Sequence, residues 1–158
     1  METNKKNQVI NVAENRKARH RYHIEDRFEA GIVLMGSEVK SLRDGKCQLV
    51  DSYGMVKGKQ CYIVGMHIGA YSHGGYANHE PTRERKLLLH RNEIEKIKDK
   101  LTRRGYTLIP LNVYFKDGYA KVEMALATGK DIGDKRQDIK ERETAREMDK
   151  AIKSAKRR

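Results

Sequence analysis

The sequence predicts an α+β domain that is mainly β, built as a small antiparallel β-barrel and followed by a flexible, basic C-terminal tail. Several segments alternate apolar and polar residues, which is typical of half-buried strands. Turn residues separate these segments, and all ten aromatic residues lie between Tyr22 and Tyr119. The 158 residues leave room for one domain. We expect a flexible N-terminal arm at 1–14, the barrel at 15–128 and the tail at 129–158.

The first strand is predicted at residues 22–34, where apolar residues occur mostly at alternate positions. This period of two places one face of a strand against a core and the other toward water. Gly31 lies inside the segment and indicates a bulge or a bend. A second alternating segment, residues 62–68, follows a turn at Gly58. Both segments are expected to be strands of the barrel.

The clearest predicted element is a hairpin over residues 109–126. Its two alternating halves are separated by Asp117-Gly118. Asp-Gly between two such segments is the strongest short-range signal for a hairpin. Pro110 has no N–H to donate, so it predicts that the first strand of the hairpin begins at a sheet edge.

Two helices accompany the strands. Asn92 is suited to an N-cap position, Glu95 follows three residues later, and Gly105 ends the segment. A shorter helix is expected at residues 37–44, before Gly45. Several short strands with one or two helices favour a small closed barrel.

The net charge of +12 is concentrated near the two ends of the chain. Residues 1–21 hold six basic and two acidic side chains, and residues 129–158 hold eleven and seven. Neither end contains an aromatic residue, so neither buries enough apolar surface to offset the entropy lost on ordering. We expect both ends to be mobile until a partner binds.

Composition excludes membrane-spanning, secreted and disulfide-scaffold proteins. The longest apolar run has four residues, as at 32–35, which is too short for a transmembrane helix or a signal peptide. Cys47 and Cys61 are the two cysteines, and they do not form a CxxC pair. The sequence therefore predicts a cytoplasmic protein with no membrane partner.

The sequence offers no convincing catalytic or metal site. Residues 54–59 resemble a phosphate-binding loop, but Gln60 stands where Ser or Thr would hold magnesium, so a hairpin turn is predicted. His73, His79 and Glu80 lie in a loop whose Gly-Gly pair gives no rigid frame for a metal. A flexible surface loop is the better interpretation. We expect no enzymatic activity, no metal and no cofactor.

Basic residues are mixed with ring side chains where the N-terminal arm meets the first strand. This segment contains Asn15, Arg16, Lys17, Arg19, His20 and Tyr22, and a second basic segment contains Arg83, Arg85 and Lys86. Arg and Lys neutralise phosphates, while Tyr and His offer ring faces to unstacked bases. With the positive net charge, these segments predict nucleic-acid binding through one shared surface.

Seven blocks of sequence carry a family resemblance and occur in order along the chain. They are 15–20 (NRKARH), 28–31 (FEAG), 38–43 (EVKSLR), 51–53 (DSY), 81–89 (PTRERKLLL), 134–136 (DKR) and 138–142 (DIKER). On these blocks the sequence resembles the small protein B family, the bacterial protein partner of transfer-messenger RNA. The resemblance runs from about Asn11 to the C-terminus.

The resemblance implies an oligonucleotide-binding (OB) type of antiparallel barrel that grips the tRNA-like domain of transfer-messenger RNA. It implies an adaptor, not an enzyme, that delivers this RNA to stalled ribosomes for trans-translation. It further implies that the tail becomes helical in the decoding site and mRNA channel of the ribosome. Elongation factor Tu and alanyl-tRNA synthetase would be partners through the RNA. A ribosomal or general RNA-chaperone protein is the alternative.

The resemblance also implies particular site residues. Asn15, Glu29 and Leu88 match family positions tied to RNA binding, although for Leu88 a place in the core is the favoured interpretation. Ribosome-binding residues are expected in the tail at Asp134, Lys135, Arg136, Lys140, Arg142 and Ile152. Gly133 and Asp131 depart from the family pattern, which commonly has a ring side chain and a lysine there.

Overall fold

The computed structural model describes residues 8–72, 78–130 and 132–156, and it leaves out the side chains of 132–139 and 156. This part of the chain forms nine strands and four helices. The strands are β1 (Val9–Glu14), β2 (Tyr22–Ile32), β3 (Cys47–Gln48), β4 (Tyr53–Lys57), β5 (Gln60–Val64), β6 (His67–Ile68), β7 (Arg85–Leu88), β8 (Tyr106–Lys116) and β9 (Tyr119–Gly129). The helices are α1 (Ala18–Arg21), α2 (Gly36–Arg43), α3 (Arg91–Leu101) and α4 (Ile132–Lys156).

The large sheet closes into a barrel, as the sequence predicts. Its seven strands follow the order β1-β8-β4-β5-β7-β2-β9, and β8 also pairs with β9. Six strands therefore form a ring, and β1 extends the free part of the β8 edge. All the pairings are antiparallel. The fold is an α+β, OB-like barrel.

The β8–β9 hairpin has the predicted turn. Asp117 and Gly118 have φ values of 51° and 85°, and positive φ at both central residues is the requirement of a type I′ turn. The edge position predicted from Pro110 is wrong, because β8 has neighbours on both sides. Pro110 instead stands at a bulge, where the register of β8 against β9 shifts before Asn112.

The bulge in β2 is not at Gly31. The register against β9 shifts between Ile24 and Asp26. Gly31 pairs with Leu88 on one side and with Lys121 on the other. A Cβ added at Gly31 would lie 3.2 Å from the Leu88 Cβ, so the glycine allows β7 to place this leucine close to β2.

The expected flexible arm is wrong for its second half, because Val9–Glu14 is strand β1. It pairs with β8 from Lys116 to Asn112. Backbone hydrogen bonds to an open strand edge need no aromatic side chain, which is why composition did not reveal the strand. At the other end of the barrel, β9 extends to Gly129, and the Lys130 N–H donates to the Arg21 carbonyl at 2.9 Å.

Two apolar clusters lie on opposite faces of the sheet. The main core fills the barrel and includes Phe28, Leu87 and Met124. Helices α2 and α3 pack against this core, and α3 begins after His90 instead of the expected Asn92. A smaller cluster outside the barrel contains Ala18, Ile109, Leu111, Ala125 and Ala127. Helix α1 therefore packs on the outside of β8 and β9.

The tail is helical over 25 residues, whereas the sequence predicts disorder in the free protein. Every described side chain along α4, from Lys140 to Ala155, is exposed. The segment is rich in Ala, Glu, Lys and Arg, which have high helix propensity, and this favours a helix that packs little. None of the described helices is both long and apolar enough to cross a membrane.

Candidate nucleic-acid interface

The cross-strand register brings two of the predicted RNA-binding residues, Glu29 and Leu88, to the outside of the barrel. One row of neighbours across β7, β2, β9 and β8 consists of Leu88, Gly31, Lys121 and Tyr114. The next row consists of Glu29, Glu123 and Asn112. We call these seven residues the outer face. Because side chains alternate along strands, residues of the intervening positions, such as Ala30 and Val122, point into the core.

Glu29 projects from β2 on this face and is held by two residues of β8. The Tyr114 hydroxyl donates to Glu29 Oε2 at 2.5 Å, and Lys116 Nζ lies 3.4 Å from both carboxylate oxygens. The hydrogen bond from Tyr114 lowers the pKa of Glu29 most, the Lys116 ammonium lowers it further, and burial opposes both. Burial and the bond to Glu29 raise the pKa of Tyr114. Glu29 is therefore an ionised hydrogen-bond acceptor in neutral solution.

A polar cleft of about 270 Å³ adjoins the N-terminal side of the outer face. Asn15, Arg16, Arg19 and Arg27 contribute to its lining, together with Glu123. Arg27 Nη1 lies 3.4 Å from Glu123 Oε1, so this guanidinium is paired with a carboxylate. Arg16 and Arg19 are exposed. This cleft joins the predicted basic segment to the face that carries Glu29.

Asn15 also has a structural role. Its Nδ2 donates to the Pro110 carbonyl at 3.0 Å, and its backbone N–H donates to the Leu111 carbonyl at 2.7 Å. On this edge of β8, β4 pairs at Leu108 and β1 pairs from Asn112 onward. Asn15 thus supplies the hydrogen bonds of the intervening bulge.

Helix α1 divides the remaining N-terminal candidates. Lys17 and Tyr22 line a second, smaller cleft that also includes Asp51. Tyr22 is half-buried against the outer apolar cluster, and His20 is half-buried as well. Arg16 and Arg19 therefore lie beside the outer face, whereas Lys17 and Tyr22 lie toward Asp51.

Leu88 is exposed, so the interpretation that it belongs to the core is wrong. Its exposed fraction is 52%, whereas that of Leu87 is 1%. Strand β7 points Arg85 and Leu87 inward and Lys86 and Leu88 outward. Three consecutive leucines hide this alternation in the sequence. Leu88 is part of a groove of about 650 Å³ that also contains Glu29, Lys59, Lys86, Arg91 and Lys121.

Arg85 is not part of the exposed surface, contrary to the sequence prediction. Its guanidinium is fully buried and forms an ion pair with the buried Glu38 of α2. It also donates to the Met66 carbonyl at 2.7 Å and the Pro81 carbonyl at 3.1 Å. Arg83 is partly exposed, but its Nη2 lies 2.6 Å from Glu38 Oε1. Of the three residues in the second basic segment, only Lys86 lies in the groove.

The loop expected to be flexible is fixed at His79. This histidine is buried, its Nδ1 is 2.9 Å from Ser37 Oγ, and its Nε2 is 2.9 Å from the Ile68 carbonyl oxygen. His73 lies outside the described residues. Burial raises the pKa of Cys47 to about 12 and that of Cys61 to about 11, so neither thiol is a ready nucleophile.

The expected ribosome-binding residues lie along α4. Asp134, Lys135 and Arg136 belong to its first turns, and their side chains are outside the described part of the structure. Lys140, Arg142 and Ile152 are exposed. Ile152 and Met148 lie four residues apart, so they share one face of the helix.

Comparisons with known proteins agree with the family resemblance. The model of the SmpB protein family matches residues 12–154. The SsrA-binding protein of Thermobifida fusca is 54% identical over 141 residues, which cover 89% of this chain and 88% of the relative. The SsrA-binding protein of Acetivibrio thermocellus is 54% identical over 142 residues, covering 90% and 92%.

A solved structure gives the same result in three dimensions. A chain from the study "tmRNA-SmpB: a journey to the center of the bacterial ribosome" is 47% identical and superposes with a TM-score of 0.66. The match covers 77% of this chain and 85% of that chain. Both the sequence and the barrel therefore lead to one conclusion: this chain belongs to the SmpB protein family.

Proposed function

We propose that this protein binds the tRNA-like domain of transfer-messenger RNA and delivers that RNA to stalled ribosomes for trans-translation. The relatives are named SsrA-binding proteins, and the related structure is named for tmRNA, SmpB and the ribosome. In this role the protein is an adaptor in the cytoplasm and not an enzyme. Elongation factor Tu and alanyl-tRNA synthetase act with it through the RNA.

The observation that carries the proposal is the ionised Glu29 on the outer face, with cations on both sides of it along β2. Arg16 and Arg19 lie toward one end, and Lys86 and Lys121 lie in the groove toward the other. Cations neutralise phosphates, whereas a carboxylate repels them and accepts hydrogen bonds from base amino and imino groups. A surface with both chemistries suits a folded RNA with unpaired bases.

Leu88 adds an apolar contact to the same surface. An exposed leucine among cations is poorly solvated when free and can pack against the flat face of an unpaired base or a ribose. Asn15 contributes in two ways, because it lines the polar cleft and also holds the β8 bulge. Its replacement is therefore expected to affect both RNA binding and stability.

Helix α4 is assigned a separate role on the ribosome. Its exposed cations, including Lys140 and Arg142, suit the phosphate walls of the decoding site and the mRNA channel. The residues 134–136 begin the part of the helix assigned to the ribosome. Ile152 and Met148 supply an apolar stripe that has no partner on the described part of the barrel.

Salt dependence of RNA binding tests the outer face. A variant with Arg16, Lys17 and Arg19 all replaced by alanine should bind transfer-messenger RNA more weakly. The slope of log Kd against log salt should flatten by about 0.7–0.9 for each phosphate that the variant no longer neutralises. The matched control replaces the exposed Lys98 in α3 and Arg103 and Arg104 just after it, with the same change in net charge. An unchanged slope in the first variant, or an equal change in both, contradicts the proposed interface.

Truncation after Lys130 tests the division between barrel and tail. The shortened protein keeps all of β9 and should bind the RNA with unchanged affinity. It should fail to support tagging of nascent chains on stalled ribosomes in a reconstituted translation system. Normal tagging would exclude a role for α4, and a loss of RNA binding would assign α4 to the RNA interface.

A high-salt wash tests the alternative function. Retention of the full-length protein on ribosomes through this wash, without transfer-messenger RNA, would favour a ribosomal or general chaperone role.

A further inference from the structure

The Glu29 carboxylate does not depend on its own strand for its position. Tyr114 and Lys116 both reach it from β8, across the intervening β9. The Tyr114 ring is largely buried, and its hydroxyl makes the shortest polar contact of the outer face at 2.5 Å. A long acidic side chain that is otherwise exposed is thereby held in one orientation.

We infer that Tyr114 is a positioning residue for RNA recognition, and that it acts by fixing the Glu29 carboxylate toward an unpaired base. This inference rests on the proposed role of Glu29 as an RNA contact. The Tyr114 hydroxyl occupies one acceptor site of Oε2. Lys116 approaches both oxygens at 3.4 Å, and Glu29 lines the groove that contains Leu88 and Lys86. The acceptor sites that Tyr114 and Lys116 leave open are therefore available to a base in that groove.

Preorganisation is the physical reason for such an arrangement. A free glutamate loses side-chain entropy when it is immobilised by a ligand, and a side chain that is already held avoids this cost. This effect raises affinity without any contact between Tyr114 and RNA.

Other charged groups around Glu29 cannot replace the tyrosine. Lys116 is 3.4 Å from either oxygen and is itself partly exposed, so solvent screens its interaction. Lys121 of β9 also lowers the pKa of Glu29, but it does so through charge alone. Glu123, directly opposite Glu29 on β9, is a like charge that Arg27 partly neutralises.

The test is a double-mutant cycle on RNA affinity. Tyr114→Phe keeps the ring and removes the hydroxyl, and we expect the Kd for transfer-messenger RNA to rise about 5- to 10-fold. Glu29→Ala should raise the Kd by at least as much. In the Glu29→Ala background, Tyr114→Phe should change the Kd by less than about twofold. Tyr119→Phe is the matched control, because Tyr119 is 73% exposed and should leave the Kd unchanged.

A second readout separates positioning from a general structural effect. In protein without RNA, the carboxyl ¹³C shift of Glu29 reports its pKa, which should rise toward the ordinary value in Tyr114→Phe. Tyr119→Phe should not change it.

Each outcome has a definite meaning. Weak binding by Glu29→Ala with normal binding by Tyr114→Phe overturns the positioning role and keeps Glu29 as a contact. An equal effect of Tyr114→Phe in both backgrounds shows that it acts independently of Glu29, which also overturns the inference. Normal binding by both single variants overturns the proposed RNA contact at Glu29, and the inference fails with it.

Discussion

Replacing Arg85 by methionine tests the buried ion pair beneath the proposed RNA surface. The substitution keeps an unbranched stem and removes the guanidinium. Glu38 then retains two donors, Arg83 at 2.6 Å and the Met35 N–H at 2.8 Å. The Met66 carbonyl loses the donor that Arg85 provides, whereas the Pro81 carbonyl keeps the Ile68 N–H at 2.9 Å.

The expected loss in unfolding free energy follows from these contacts. Removing one partner of a buried ion pair costs about 3–5 kcal/mol. That range includes the cost of about 1–3 kcal/mol for an acceptor left without a donor, which here is the Met66 carbonyl. We therefore expect Arg85→Met to destabilise the protein by about 3–5 kcal/mol. In a chain of this size that lowers Tm by about 6–20 °C.

Urea unfolding measures this loss directly. The midpoint should fall while the slope of free energy against urea stays unchanged, because the fold is preserved. Lys86→Met is the matched control, since Lys86 is the next residue and points outward. The control should change stability by no more than about 0.5 kcal/mol and should weaken RNA binding. If Arg85→Met has wild-type stability and has lost RNA affinity, the assignment of Arg85 to a buried ion pair is refuted.

The same ion pair gives stability a pH dependence. Burial raises the pKa of Glu38, but the hydrogen bonds from Arg83, the Met35 N–H and Arg85 outweigh it, and the pKa lies below the ordinary 4.5. A carboxylate with a lowered folded pKa adds stability above its unfolded pKa, and this stability is lost as the pH falls through the folded pKa. Arg85→Met should therefore move the acid loss of stability to higher pH. Circular dichroism at stepped pH values below about 5 measures the shift.

Three other substitutions have expected outcomes. Leu88→Ala should change the unfolding free energy by less than about 1 kcal/mol while weakening RNA binding, because the side chain is exposed; a cost of about 2 kcal/mol or more in urea unfolding would place it in the core. Gly54→Ala should destabilise by about 1–3 kcal/mol, since the added Cβ would overlap Leu108 Cδ2; an unchanged melting temperature would contradict this packing. Ile152→Asp should reduce tagging in reconstituted translation more than Ala145→Ser, and equal activity of the two variants would exclude a role for the apolar stripe.

The sequence predicted the fold well where a short residue motif is compatible with one backbone conformation. Asp117-Gly118 is such a case, because few residue pairs accept positive φ at both positions. Strand β1 carries no comparable signal, since it forms by pairing with the open edge of β8, which is about 100 residues away in sequence. Long-range pairing of this kind depends on the assembled barrel and not on the strand's own composition.

The site was predicted less well, because charge alone does not tell which face of a strand a residue occupies. Arg85 and Lys86 are adjacent basic residues, yet Arg85 lies in the interior and Lys86 in the groove. Glu38, the residue that decides this, is 47 positions before Arg85. The sequence block 38–43 did carry a signal, because a glutamate on the apolar side of a short helix requires a buried partner.

The attachment of α4 has a mechanical consequence. Lys130 precedes the helix and is bound to α1 twice, by its N–H to the Arg21 carbonyl and by its Nζ to the Arg19 carbonyl at 2.8 Å. From Ile132 to Ile152 the helix rises by about 20 steps of about 1.5 Å each, so Ile152 lies about 30 Å from the start of α4. A rotation of the helix by about 10° about its first residue would therefore move Ile152 by about 5 Å, roughly one helical turn. Because Lys130 is hydrogen-bonded to α1, the short helix that presents Arg19 beside the outer face, a small shift of α1 would be magnified at Ile152.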